Sequence, residues 1–149
     1  LERRMFRTYD TPDSDFPFDD WSLPSLLAHQ ARYNPDRPFI RWTHEGRPHS
    51  FADAAGTVSR LAGAFRRAGV GEGDRVVLYM RNSLNHVACW LALNVLGAVD
   101  APINPAYFGA LLAHQIKLVR PRFIVVDAEL RERFGKLRMK SASPRRQCW

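Results

Sequence analysis

Arg75-Val76-Val77-Leu78-Tyr79-Met80 is apolar at every position after the first, with no alternation. A strand wetted on one face alternates apolar and polar residues. A continuous apolar run marks a strand covered on both faces, the pattern of a parallel sheet. Parallel neighbours cannot be joined by a tight turn, so the run needs helical crossovers around it. The flanking sequence supplies them.

Upstream, Ser50 and Asp53 form a capping box, each side chain satisfying a free backbone N–H at a helix start. Phe51, Ala54, Ala55, Val58, Leu61, Ala62 and Phe65 then make one apolar stripe, with Arg60, Arg66 and Arg67 off it. Gly69 suits the left-handed stop that follows. Earlier still, Ser22–Tyr33 carries Leu23, Leu26, Leu27 and Ala31 at helical spacing, and Asn34-Pro35 ends it. Phe39–Thr43 leans to strand, Glu45–Pro48 turns, and His49–Phe51 returns as a hairpin.

Downstream, Asn82 or Ser83 caps a helix over Leu84–Leu96. It is apolar nearly all round, through Val87, Ala88, Trp90, Leu91, Ala92, Val95 and Leu96, so deep packing is expected before Gly97 stops it. Val99–Ile103 reads as a second strand, which Pro102 pushes to an edge or a bulge. The loop Asn104–Tyr107 leads to a helix with apolar Phe108, Leu111, Leu112, Ile116 and Val119, broken by Pro121. Phe123–Val126 is a third buried strand, and Asp127 is expected to cap a last helix, Ala128–Phe134. The fold class is α/β: a partial doubly wound parallel sheet with helices on both faces.

Three parts are expected along the 149 residues: an extended arm at 1–21, the α/β segment at 22–135 and a basic tail at 136–149. The arm mixes five Asp with Phe16, Phe18, Trp21 and two prolines, and its aromatics would pin it to the core. The net charge of +7 is mostly local, because the tail holds Lys136, Arg138, Lys140, Arg145 and Arg146 and no acid. Without those five, 17 bases face 15 acids, which argues against an electrostatic nucleic-acid binder. Cys89 and Cys148 have no CxxC spacing, so neither a zinc site nor a redox pair is implied. The apolar stretch Val87–Leu96 is about half of the ~20 residues a spanning helix needs. With no signal peptide visible, the expected location is cytoplasmic.

Most chemical motifs dissolve on inspection. Gly69-Val70-Gly71-Glu72-Gly73 follows a helix and precedes a strand, whereas a dinucleotide loop follows a strand and opens a helix. It reads as a helix stop and tight turn. His44 and His49 in His-Glu-Gly-Arg-Pro-His are one residue too far apart for a zinc-protease pair, and Gly46 and Pro48 forbid the helix that would align them. His29, His86 and His114 lie far apart on separate helices, and no Gly-x-Ser-x-Gly elbow is present. Ligands of doubly wound sheets sit beyond the strands' carboxyl ends. That rule selects Arg81-Asn82-Ser83, Asn104-Pro105-Ala106-Tyr107 and Asp127-Ala128-Glu129, for which capping and turn duty suffice. No catalytic, cofactor-binding or metal residue is assigned.

Several of these stretches together resemble one family. Gly69–Leu78 is similar to the Gly-Val-x-x-Gly-Asp-Arg-Val segment of the AMP-forming acyl-CoA synthetases, and Asn82-Ser83 follows the strand as it does there. Leu96-Gly97-Ala98-Val99, Pro102-Ile103-Asn104-Pro105 and Phe123–Asp127 resemble its next landmarks, while Pro38–Ile40 and Ser50–Asp53 fit the start of its fold. Pro102–Tyr107 is similar to the loop of carnitine- or crotonobetaine-type CoA ligases. The likeness runs in order over about residues 22–134 and covers the front part of a ligase domain. From Lys136 it lapses, and Ser141–Arg146 reads as an unrelated or frame-shifted terminus.

The resemblance implies that a carboxylic acid and ATP form an acyl-adenylate and pyrophosphate, after which coenzyme A takes the acyl group and frees AMP. It implies ATP, magnesium and CoA as cofactors of the full-length family, bound by a Ser/Thr/Gly-rich loop with lysine, a later acidic site and a lid-domain lysine. None of these matches a position here, where the lysines are Lys117, Lys136 and Lys140. The expectation is an N-terminal ligase segment, shortened naturally, by a gene lesion or by choice of the expressed region, that binds no cofactor and is inactive alone. The alternatives are a non-catalytic α/β interaction module, self-associating through an open sheet edge, and a nucleic-acid or membrane binder acting through the tail.

Overall fold

A computed structural model of the chain describes residues 22–43 and 46–135. The arm at 1–21, the tail at 136–149 and His44-Glu45 of the histidine motif lie outside the described residues. The strands are β1 (Pro38–Ile40), β2 (His49–Ser50), β3 (Arg75–Tyr79), β4 (Val99–Pro102) and β5 (Phe123–Val126). The helices are α1 (Leu23–Tyr33), α2 (Phe51–Arg67), α3 (Leu84–Val95), α4 (Gly109–Val119) and α5 (Arg131–Gly135), the last preceded by a 3₁₀ turn at Ala128–Leu130.

β3 is the centre of a parallel sheet in the order β4-β3-β5. Val77 sits opposite Ala101 on one side and Ile124 on the other. Val76, Val77, Leu78 and Tyr79 are all 0% exposed. Their side chains alternate between two cores. Val76 and Leu78 join Val58, Ala62, Phe65, Leu91 and Leu93 under α2 and α3. Val77 and Tyr79 join Leu112, Ile116, Ile124 and Leu130 under α4 and the 3₁₀ turn. Both faces are covered, which is why the run shows no alternation. β1 and β2 pair antiparallel as a small hairpin that leads into α2.

Local chemistry fixes the helix ends. Ser50 and Asp53 make the capping box in both directions, and Ser83 caps α3 by accepting from the His86 N–H at 3.1 Å. α2 and α3 end in the same way. The Val70 N–H reaches the Phe65 carbonyl and the Gly69 N–H that of Arg66, while Ala98 and Gly97 do the same to Leu93 and Asn94. Each pair is a Schellman motif with a left-handed glycine, at φ 92° for Gly69 and 66° for Gly97. Gly97 has a second reason to lack a side chain: a Cβ there would lie 3.1 Å from Glu72 Cγ. The Gly73 N–H donates to the Gly97 carbonyl at 2.9 Å, so the two turns close on each other.

The structure corrects several local expectations. The strand expected over Phe39–Thr43 spans only Pro38–Ile40. α3 is not covered all round, since Val95 is 43% exposed. α4 turns Leu112 and Ile116 inward, but leaves Leu111 exposed and Phe108 69% exposed. Leu111 lies ~100° around the helix from Leu112, and Phe108 is the extended N-cap residue rather than part of the helical stripe. α4 ends at Arg120, which takes the left-handed conformation at φ 50° one residue before Pro121. The proline's clash with a preceding right-handed residue stops the helix there but does not by itself select the left-handed region. The Arg120 carbonyl is held there by Arg75, whose Nη2 donates to it at 3.2 Å.

The strands' amino ends are tied by Asp74. Its Oδ2 accepts from the Gly71 N–H at 2.9 Å and from Arg122 Nη1 at 2.8 Å. Burial pushes the Asp74 carboxyl up, but the Arg122 hydrogen bond, the Gly71 N–H and the Arg122 charge together hold it below its ordinary value. A depressed carboxylate stabilises the fold above the unfolded value of about 3.9, and that contribution is lost as pH falls through the lower folded value. Asp74→Asn is therefore expected to cost on the order of 1 kcal/mol at pH 7 in urea denaturation. The gap to the wild type should close below about pH 3.9; a gap independent of pH would show that the carboxylate's charge is not what matters.

Candidate functional site

The loops beyond the strands' carboxyl ends form the crest where a doubly wound sheet takes its ligand. β3 leads into α3 on one face of the sheet, and β5 leads into the 3₁₀ turn on the other. A crevice would open between two such diverging loops. Here side chains span it. Asp127 Oδ2 accepts from the Arg81 N–H at 2.6 Å, and the Arg81 guanidinium pairs with Glu129 at 3.1 Å. Asp127 heads the 3₁₀ turn without capping it, contrary to the sequence expectation, because its carboxylate is spent on the neighbouring strand's loop.

The loop after β4 is held from below. The Tyr79 hydroxyl donates to the Tyr107 carbonyl at 2.5 Å and lies 3.3 Å from that of Pro105. Asn104 Oδ1 accepts from the Ala106 N–H at 2.9 Å, a local turn. Of the three crest segments selected from sequence, the structure thus joins Arg81, Asp127 and Glu129, whereas Asn104 serves its own loop. Ser83 is a helix cap.

The remaining candidates separate. His29 stacks on Tyr33 with ring centroids 4.5 Å apart, His114 is exposed on α4, and His86 lines a cleft beside the crest. Among the described residues no group of three His, Cys, Asp or Glu could hold a metal ion. No helix among them is long and apolar enough to cross a membrane. Gly69–Gly73 lies at the amino ends of the strands, away from the crest, as a helix stop and turn. Sequence reading missed the cleft altogether. It measures about 530 Å³ and is lined by Trp42, Asn82, Ser83, His86, Val87, Trp90, Asp100 and Pro102. Three separate elements build it, so no local spacing marks it.

The model of the AMP-binding enzyme family matches residues 27–147. The chain belongs to that family. The match continues past Lys136, where the sequence reading ends the resemblance. 4-Coumarate–CoA ligase 2 of Oryza sativa subsp. japonica is 31% identical over 139 residues, covering 90% of this chain and 23% of the relative. Crotonobetaine/carnitine–CoA ligase of Salmonella typhimurium is 28% identical over 98 residues, covering 66% of this chain and 19% of the relative. A Mycobacterium tuberculosis fatty acyl CoA synthetase superposes with a TM-score of 0.73 at 21% identity, over 82% of this chain and 24% of that one, and shows the shared fold. The chain spans about a quarter of the length of the curated relatives it matches. It corresponds to the N-terminal region of an adenylate-forming ligase.

At the crest both carboxylates face Arg81, and among the described residues no lysine-bearing glycine-rich loop borders them. Cys89 is a free, buried thiol. Burial first, and then the charge of Asp127, push its thiol up to about 11. In Cys148→Ser protein at pH 8, Cys89 is expected to react with Ellman's reagent only at the rate of unfolding, since a buried thiol offers almost no thiolate. Labelling within seconds in the native state would contradict its burial.

Proposed function

We propose that this chain is the front segment of the nucleotide-binding domain of an ATP-dependent acyl-CoA ligase, and that these 149 residues catalyse no adenylation by themselves. The whole reaction joins a carboxylic acid to ATP, releases pyrophosphate, and passes the acyl group to the coenzyme A thiol. The family match supports the assignment. The single observation behind the inactivity is the crest's composition: its one arginine, Arg81, lies against Asp127 and Glu129, and no lysine-bearing glycine-rich loop joins it in this sequence. Attack on the α-phosphate spreads negative charge that must be met by fixed donors or cations. The segment's contribution is then a rigid floor, with the charged machinery carried elsewhere in a ligase.

The relatives' names denote 4-coumarate and crotonobetaine or carnitine, which share a carboxylate, so the substrate class proposed is a carboxylic acid. Fatty acids fall within it. A reducing cytoplasmic setting suits the free thiol of Cys89. The test is ATP–pyrophosphate exchange with a mixture of aromatic, short and fatty acids. No exchange above the protein-free rate is expected; turnover that follows protein concentration and survives repurification would refute the inactivity.

A second reading rests on the sheet's open side. Among the described residues β4 has one unpaired edge, and Val99 on it is 51% exposed. Such an edge templates pairing with a second copy. Sedimentation should show concentration-dependent self-association that Val99→Lys suppresses. Equal monomer content in both proteins at every concentration would exclude the edge as the contact.

A further inference from the structure

The cleft beside the crest has its own chemistry. At about 530 Å³ it lies within the ~300–1,000 Å³ range of small-molecule sites. Trp42 reaches it from the loop after β1, Trp90 from α3 and Asp100 from β4. The lining contains two indoles, the His86 imidazole, one carboxylate and no lysine or arginine.

Asp100 is the informative residue. It stands on an edge strand whose neighbours Val99 and Ala101 are apolar, and it is half-buried. Its carboxylate accepts one hydrogen bond, from Asn94 Nδ2 at 3.4 Å, near the limit for such a bond. Asn94 is itself anchored elsewhere, donating to the Trp90 carbonyl at 2.9 Å. Asp100 takes part in none of the ion pairs among the described residues. A cation entering the cleft meets this carboxylate with no lysine or arginine of the lining competing for it. The indoles determine what kind of cation is favoured. A compact metal ion keeps its water, whereas an alkylated ammonium sheds its weak hydration and gains cation–π attraction from tryptophan faces.

We propose that this cleft binds a small organic ammonium head, with Asp100 as counter-charge and Trp42 and Trp90 as its aromatic walls. The site adjoins the crest, sharing Asn82 and Ser83 with it, and its chemistry does not depend on the ligase reading. The plainer role for Asp100 is protection of an edge strand from pairing, which needs no ligand.

The experiment titrates the full 149-residue chain with choline and, separately, with its neutral isostere 3,3-dimethylbutan-1-ol, at constant ionic strength. Binding is read from the tryptophan indole N–H resonances and by calorimetry. Saturable choline binding is expected, about tenfold tighter than that of the neutral isostere, and weakened by a similar factor in Asp100→Asn. Trp42→Leu should weaken choline more than the isostere. Equal binding of choline and the isostere, or no saturable choline binding, overturns the proposal without any variant having to fold. An Asp100→Asn protein that melts normally and binds choline unchanged overturns it as well, and leaves edge protection as that residue's role.

Discussion

Covering β3 on both faces is the constraint from which the rest follows. Four consecutive residues, Val76 to Tyr79, are fully withdrawn from water, and successive side chains enter different cores. Burying a side chain of this size contributes about 1.5–3 kcal/mol, so neither face can be left open. The strand's backbone groups must also be paired on both edges, which β4 and β5 supply. A chain meeting both demands needs a crossover helix on each face. α3 and α4 are those helices, and α2 with α1 fills out the α3 side.

The ends of the sheet are braced in opposite ways. At the amino ends, Asp74 joins Gly71 to Arg122, Arg75 holds the α4 terminus, and the glycine turns lock together. The family-resembling Gly-Asp-Arg segment is therefore structural. At the carboxyl ends, Tyr79 carries the loop after β4 and Asp127 joins the loops after β3 and β5. The crest keeps its shape through its own hydrogen bonds.

Much of the fold was legible because its signals are local. Ser50 with Asp53, Gly69 and Gly97 mark helix ends within four residues of the groups they satisfy. The unbroken apolar run of β3 announces double burial, and Pro102 in β4 falls on an edge as its missing N–H demands. What escaped depends on long-range partners. Asp127 looks like a cap in sequence, yet the N–H it accepts belongs to Arg81, 46 residues away. Pro121 marks the end of α4 but not the left-handed turn, which falls on Arg120 one residue earlier. Phe108 and Leu111 are as hydrophobic as Leu112, and only the tertiary contacts decide which side faces in. The cleft of Trp42, Trp90 and Asp100 was invisible for the same reason, since each residue comes from a different element.

Native-state hydrogen exchange tests the central claim most directly. If β3 is the doubly covered centre, its amides from Val76 to Tyr79 should exchange only through global unfolding, with the free energy found by denaturant. The amides of the β1–β2 hairpin should exchange through smaller openings. Exchange of the β3 amides at loop-like rates, or with less protection than the hairpin, would contradict the account.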